Sequence, residues 1–323
     1  MLRISPSEAG AAQVKKYYVK HSSPEAYYSE GQDFNGVWGG RGAERLGLSG
    51  SLQENAFSRL CDNLHPLTGE QLTARMKANR RVGYDVNFHV PKSVTLAYMW
   101  SKEERIIRVI RQAAHETMLD MQEKACARVR KNGHSDGDRL TGELTWAEFL
   151  HLTARPVDCI PDPHVHVHCY VFNATFDEAE NEWKALQFCP VMEKADDYQT
   201  AFHARLATKL KGLGVEIASN DFAFEVAGVE RELNDKFSRR TKLILAEAAR
   251  RGVTDPAQRD KLGALTREKK VEELTIPQLE PSWWSRLSPE DIRALDVIKA
   301  KLQESRAKEV ALKQEKAQAS SKE

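Results

Sequence analysis

The sequence predicts an α+β fold, a central antiparallel β-sheet flanked by helices with a helical extension at the C-terminal end. Two observations predict it. Strand-like alternation is concentrated in the middle of the chain, in RVGYDVNFHV (81–90), ELTWAEFLHLT (143–153) and DPHVHVHCYVFN (162–173). Helical patterning holds both ends, and from about residue 230 onward it is all that remains.

A chain of 323 residues suffices for one large domain or two ordinary ones. Hydrophobic residues at 41% and charged residues at 29% describe a soluble globular protein rather than a disordered or membrane one. No apolar run reaches the length that spans a bilayer, so membrane insertion is not expected. The opening MLRISPSEAG lacks a basic segment followed by an apolar one, so no secretion signal is read and the cytoplasm is the expected compartment. Cys61, Cys126, Cys159, Cys169 and Cys189 form no C-x-x-C pair and read as isolated thiols, not as a disulfide framework or a zinc site. The net charge of +1 neither demands nor excludes a nucleic-acid partner, because binding depends on where the charge sits. Basic clusters stand at 15–20, 75–81, 128–131, 238–242 and 266–270, and each taken singly reads as a solvated helix face.

Residues 8–28 read as two short helical pieces interrupted around His21 to Pro24, carrying Tyr17, Tyr18, Tyr27 and Tyr28. A glycine-rich loop, GVWGGRGAERLGLSG, follows, and no G-x-x-x-x-G-K-[ST] spacing occurs anywhere, so no nucleotide-driven motor is encoded. In 81–90, Val82, Tyr84, Val86 and Phe88 fall on one strand face, and Asp85, Asn87 and His89 on the other. Residues 102–131 read as one long helix with Ile106, Ile110, Ala113, Met118 and Met121 as its stripe and Asn132-Gly133 as its stop. A strand through 143–153 places Thr145, Ala147, Phe149 and His151 on one face. Short strands are expected at 214–219 and 222–227, and the last residues, VIKAKLQESRAKEVALKQEKAQASSKE, as a solvated helix fraying into a tail. No internal repeat is visible.

His164, His166 and His168 alternate along one strand. Positions two apart on a strand are roughly 6.5 to 7 Å apart and point the same way, so neighbouring imidazoles can converge on one ion while those four apart cannot easily do so. The working pair is therefore 164 with 166 or 166 with 168, and Pro163 at the strand entrance favours the second. His151, on a neighbouring strand, is the candidate third ligand. A lone H-x-H is commonly decoration, but four imidazoles so placed point to a metal, and three histidines leave open positions for substrate oxygens. Imidazole donors suit zinc, manganese, nickel or copper better than magnesium.

The ordered set YY…YY, VWGGRGAERLGLSG, GYDVNFHVPKSV, FLHLTARP, DPHVHVHCYVFN, EWKALQ and FSRRT resembles the relaxase domain of TrwC/TraI-type conjugative relaxases, within the HUH endonuclease superfamily. The resemblance runs from roughly residue 10 to residue 275, and the motifs are specific in their order and spacing rather than singly. It implies site-specific nicking and strand transfer of single-stranded DNA at a plasmid origin of transfer, through a tyrosine that forms a 5′-phosphotyrosyl link. It implies Tyr17 as first nucleophile and Tyr27 for a second cleavage, with Tyr18 and Tyr28 as supporting or alternative groups. His151, His166 and His168 become the metal ligands, with magnesium or manganese as the expected ion and zinc, nickel or another as alternatives.

By the same resemblance Asp85 is either the acceptor of the tyrosine proton or a carboxylate that orients a ligand imidazole. Lys92, Ser93 and Arg155 are candidate phosphate contacts, and Arg239, Arg240 and Lys269 a candidate DNA clamp. The implied organisation is a catalytic core over 1–230, a helical DNA-clamping extension over 231–285, and a charged helical tail or linker over 286–323. The implied partners are origin DNA with a neighbouring hairpin, relaxosome accessory proteins and a coupling protein, with the chain itself a monomer. The sequence departs from the family pattern where PVDCI is inserted between His151 and His166 and where the tyrosine pairs stand further apart. A rolling-circle replication initiator of the HUH class would share the histidines and tyrosine, but there the tyrosine typically follows the histidines. A noncatalytic single-strand binding module would need only basic clusters and aromatics such as Trp38, Trp146 and Phe149, each of which reads equally as core.

Overall fold

The computed structural model describes residues 1–7, 10–20, 36–74, 76–77, 79–131, 134–219, 224–266, 268 and 274–320. In chain order the first half comprises β1 (Leu2–Pro6), α1 (Ala11–Lys20), β2 (Gly36–Gly39), α2 (Arg41–Arg45), α3 (Glu54–Cys61), β3 (Gly83–His89), α4 (Lys92–Ser101), α5 (Glu104–Gln122), β4 (Cys126–Lys131), β5 (His134–Leu140), β6 (Trp146–Val157) and β7 (Ile160–Phe172). There follow β8 (Thr175–Asp177), β9 (Glu182–Lys184), β10 (Leu186–Gln187), α6 (Cys189–Met192), α7 (Ala195–Gly212), β11 (Ile217–Ser219), β12 (Phe224–Val226), α8 (Arg231–Lys236), α9 (Arg239–Arg250), α10 (Pro256–Leu265), α11 (Ile276–Trp284) and α12 (Pro289–Ser320). The expected α+β class is observed. Among the described residues no helix is long and apolar enough to cross a membrane.

The main sheet has five strands in the order β1-β3-β7-β6-β2, with β1 on β3, β3 on β7 and β2 on β6 all antiparallel. Alternation in β3 works as the sequence predicts: Tyr84, Val86 and Phe88 are buried, while Asp85, Asn87 and His89 share the opposite face. Register then sets Asp85 opposite Tyr170, Asn87 opposite His168 and His89 opposite His166. The polar face of one strand thus adjoins the histidine face of the next.

Contacts divide the chain into two compact units. The first comprises Met1–His89, Arg111–His151 and His166–Phe202. In it α1 and α3 lay Val14, Tyr18, Phe57 and Leu60 against Phe149, Tyr170 and Phe172 of the sheet. The glycine-rich segment packs on Trp146: Gly40 has φ of 96°, and a side chain there would strike the Leu144 carbonyl. Trp38, Trp146 and Phe149 are buried, which makes them core.

The long helix expected over 102–131 is corrected by the structure. Helix α5 stops at Gln122, and Cys126–Lys131 form β4, paired with β5 and β10 in a separate three-stranded sheet. Beyond the helix the pattern changes to period two, with Ala127 and Val129 buried and Arg128 between them exposed. Asn132-Gly133, taken as a helix stop, lies outside the described residues.

The second unit comprises Val90–Ile110, Leu152–Val165 and His203–Glu323. Its α4 is nearly all buried, and α8 to α12 confirm the all-helical reading beyond residue 230. Helix α12 is less solvated than its composition suggests. Leu295, Ile298 and Leu302 are buried, and the Arg105 guanidinium donates to the Leu302 carbonyl at 2.7 Å and to Glu309 at 3.2 Å. The inserted PVDCI lies at the tip of the β6–β7 hairpin, where Asp158 and Cys159 turn the chain with φ of 53° and 64°. An insertion at a hairpin tip lengthens the arm and leaves its base undisturbed.

Candidate metal centre and tyrosine nucleophile

His151 from β6 and His166 and His168 from β7 converge. All three are buried, and one candidate ligand atom from each lies within 4.8 Å of the other two. Ring centroids are 5.2 Å apart for His151 and His166, 4.6 Å for His151 and His168, and 5.0 Å for His166 and His168. Strand periodicity explains the pair on β7, and the neighbouring strand supplies the third. Three imidazoles this close form a donor set suited to a divalent transition ion, with the remaining coordination positions left to other oxygens.

Asp85 fixes one of these rings. Nδ1 of His168 lies 2.9 Å from Oδ1 of Asp85, so a proton on Nδ1 faces the carboxylate and Nε2 is the nitrogen that could serve as a ligand. The carboxylate also accepts from Nδ2 of Asn87 at 2.9 Å and from the Tyr18 hydroxyl. Burial alone would raise the Asp85 carboxyl, but the His168 ring and the bonds from His168, Asn87 and Tyr18 outweigh it and hold the carboxyl below its usual range. It is a carboxylate at neutral pH.

Of the four candidate tyrosines, the two described ones, Tyr17 and Tyr18, differ. Tyr18 is 3% exposed, stacks on Phe149 at 4.6 Å between ring centroids, and packs against Tyr170 and Phe57. Burial and the neighbouring Asp85 charge push its hydroxyl well above the usual range, which opposes a phenolate there. Tyr17 is half-buried, and its ring centroid lies 6.5 Å from that of His168. Both rings lie near His168, Tyr17 at 6.5 Å and Tyr18 at 6.3 Å between centroids, and burial is what separates them: Tyr18 is enclosed in the core while Tyr17 keeps partial exposure. Tyr27 and Tyr28 lie outside the described residues.

The expected phosphate contacts separate into two groups. Arg155 is half-buried on β6. Lys92 donates to the Pro163 carbonyl at 2.7 Å, and burial, eased by Asp162, lowers its ammonium to about 8. Ser93 is fully buried, its hydroxyl bonded to Glu225 and accepting from the Val226 amide. Arg239 is bound to Asp162 through Nε at 2.9 Å and to the Ile160 carbonyl at 2.5 Å. Arg240 donates to the Thr266 and Gly263 carbonyls at 2.7 and 2.5 Å. Lys269 lies outside the described residues.

Two site neighbours received no role from the sequence. His89 stacks on His166 at 5.2 Å and 20°, and burial with the nearby N-terminal amine holds its pKa down to about 3. Asn87 supports Asp85. The signal for both was their place on the Asp85 face of β3.

With this geometry in view, the comparisons with known proteins agree. The family described as TrwC relaxase matches residues 11–289, and the chain belongs to that family. It is 32% identical over 272 residues to the multifunctional conjugation protein TraI of Escherichia coli K12, which covers 80% of this chain and 15% of that protein. The chain thus spans a small part of the curated relative's length. Among solved structures, the conjugative relaxase TrwC with OriT DNA in copper-bound form matches with a TM-score of 0.78 at 26% identity, over 88% of this chain and 97% of that one. The metal-bound TrwC–OriT complex matches at 0.77 and 25% identity, over 92% and 99%. TrwC with a 27-mer DNA comprising the recognition hairpin and the cleavage site matches at 0.75 and 25% identity, over 88% and 97%.

Proposed function

We propose that this chain is the DNA-nicking and strand-transferring domain of a conjugative relaxase, acting on single-stranded DNA at an origin of transfer beside a hairpin. The observation that carries the reading is Tyr17 set beside three converged imidazoles, one of them oriented by a carboxylate. His151, His166 and His168 would hold a divalent ion, manganese or magnesium first, with zinc or nickel as alternatives. Such an ion supplies Lewis-acid charge against the oxygens of the scissile phosphate.

Tyr17 is the nucleophile: its hydroxyl gives up a proton as its oxygen bonds to phosphorus, the bond to the 3′-oxygen breaks, and that oxygen takes up a proton from solvent to leave as a free 3′-hydroxyl, so no net proton is gained or lost. The phosphotyrosyl ester conserves the bond for a later rejoining. Tyr18 has a supporting role, through its hydrogen bond to Asp85 and its place in the core. Asp85 orients His168 rather than receiving the tyrosine proton, because its oxygens already accept from His168, Asn87 and Tyr18. Arg155 is the proposed phosphate contact on β6, whereas Ser93, Arg239 and Arg240 hold the protein together. Lys92 is engaged within the protein too, through its bond to the Pro163 carbonyl, though its burial is a cost rather than a gain in stability. Tyr27 and Tyr28 stay as candidates for a second cleavage, and Lys269 for the DNA clamp. The chain acts in the cytoplasm as a monomer, with relaxosome accessory and coupling proteins as partners.

Incubation with single strands tiled across a cognate origin of transfer, with Mn²⁺ or with chelator, tests the reading. One discrete cleavage that needs the metal and is lost in Tyr17→Phe is expected. Binding without cleavage by the wild type on every strand would overturn it in favour of a noncatalytic module.

A further inference from the structure

Asn87 lies on β3 opposite His168 and is 7% exposed. Its Nδ2 donates at 2.9 Å to Oδ2 of Asp85, while Nδ1 of His168 lies 2.9 Å from the other oxygen, Oδ1, its nearer acceptor, and 3.2 Å from Oδ2. Only an N–H can face a carboxylate oxygen, so chemistry fixes which way the amide points. Its own carbonyl oxygen is then left buried with no hydrogen-bond partner among the described residues. A buried unpaired acceptor costs stability, and an apolar side chain of similar size would avoid that cost. Packing alone therefore does not account for an amide at this position.

We propose that Asn87 is a positioning residue of the metal centre: by holding Oδ2 it fixes the Asp85 carboxylate so that Oδ1 accepts from His168 and leaves Nε2 of that ring as the ligand. The inference rests on the three-histidine reading above and deepens it. Without the amide the carboxylate can turn about its terminal bond and share its oxygens differently between His168 and Tyr18. The ring it orients then loses a defined angle. A hydrogen-bond partner one step outside the ligands sets both ring orientation and ligand basicity, and its loss is felt in affinity rather than in folding.

The test uses the full chain and the metals Mn²⁺ and Co²⁺ alone, without DNA. Binding is measured by calorimetry for wild type, Asn87→Leu, Asn87→Thr and His168→Ala, with the Co²⁺ visible spectrum as a reporter of ligand geometry and thermal unfolding in chelator as a control. Asn87→Ala stands in should leucine not be accommodated. Asn87→Leu is expected to bind Mn²⁺ about ten-fold more weakly with an altered Co²⁺ spectrum, while Asn87→Thr, which keeps a donor, stays within about two-fold of wild type. Equal affinity and spectrum in wild type and the apolar variant would overturn the inference alone, whatever the change in unfolding temperature. Absence of saturable binding by the wild type, or unchanged binding in His168→Ala, would overturn the three-histidine reading and the inference with it.

Discussion

Nδ1 of His168 and Oδ1 of Asp85 are 2.9 Å apart, and this one contact decides which nitrogen of the ring faces away from β3. A carboxylate acceptor demands the proton on Nδ1. Asp85→Ala is therefore expected to weaken Mn²⁺ binding by about 10-fold to 100-fold while the protein stays folded, as read by titration and by circular dichroism. Unchanged affinity would remove the orienting role.

Tyr17 and Tyr18 are neighbours on α1 with opposite predicted behaviour. Tyr18→Ala removes a ring from among Phe57, Phe149 and Tyr170 and should cost about 3 to 5 kcal/mol in urea unfolding. Tyr18→Phe keeps the ring and should retain cleavage. Cleavage lost in Tyr18→Phe and kept in Tyr17→Phe would exchange their roles.

Lys92 makes stability depend on pH in a particular direction. Burial lowers its ammonium from 10.5 to about 8, so between those values the unfolded chain binds more protons than the folded one. Stability contributed by this group is lowest below about pH 8 and rises toward pH 10.5. Lys92→Met should be more stable than wild type below pH 8, with the difference shrinking as pH rises. A difference that does not change with pH would contradict the buried-ammonium account.

Asp162 is 2% exposed and holds two guanidiniums, Nε of Arg239 at 2.9 Å and Nη1 of Arg286 at 2.6 Å. Removing the shared anion leaves both cations partly buried and without it. Asp162→Ala should cost about 3 to 5 kcal/mol in denaturant unfolding. A loss below about 1 kcal/mol would mark the network as solvent-screened.

The periodicity of single segments was legible in the sequence, and what depends on a distant partner was not. Alternation alone placed His166 and His168 on one face, and the strands at 83–89 and 146–157 follow the expected patterning. The neighbouring strand offered His151 as the candidate third ligand, and the resemblance implied the same residue. Alternation could not say that β3 would pair with β7 so as to bring Asp85 to His168, since register is set by non-local pairing. The same limit explains β4, whose short alternating run acquires its meaning from β5 and β10. It also bears on Ser93, Arg239 and Arg240, which the resemblance offered as phosphate or DNA contacts: their bonds to Glu225, Asp162 and the carbonyls of Gly263 and Thr266 come from residues far along the chain, which local pattern does not reveal. The resemblance already implied Tyr17 as nucleophile and Tyr18 as a supporting or alternative group, and the packing of α1 adds the difference in burial between them.

The most direct test of the central claim is to trap the covalent complex on a cognate origin strand with Mn²⁺, digest the protein, and locate the DNA-bearing peptide by mass spectrometry. The account predicts an adduct on Tyr17 that is absent in Tyr17→Phe and in the presence of chelator. An adduct on Tyr18 in the wild type, or one on Tyr17 that forms at full rate without metal, would contradict it.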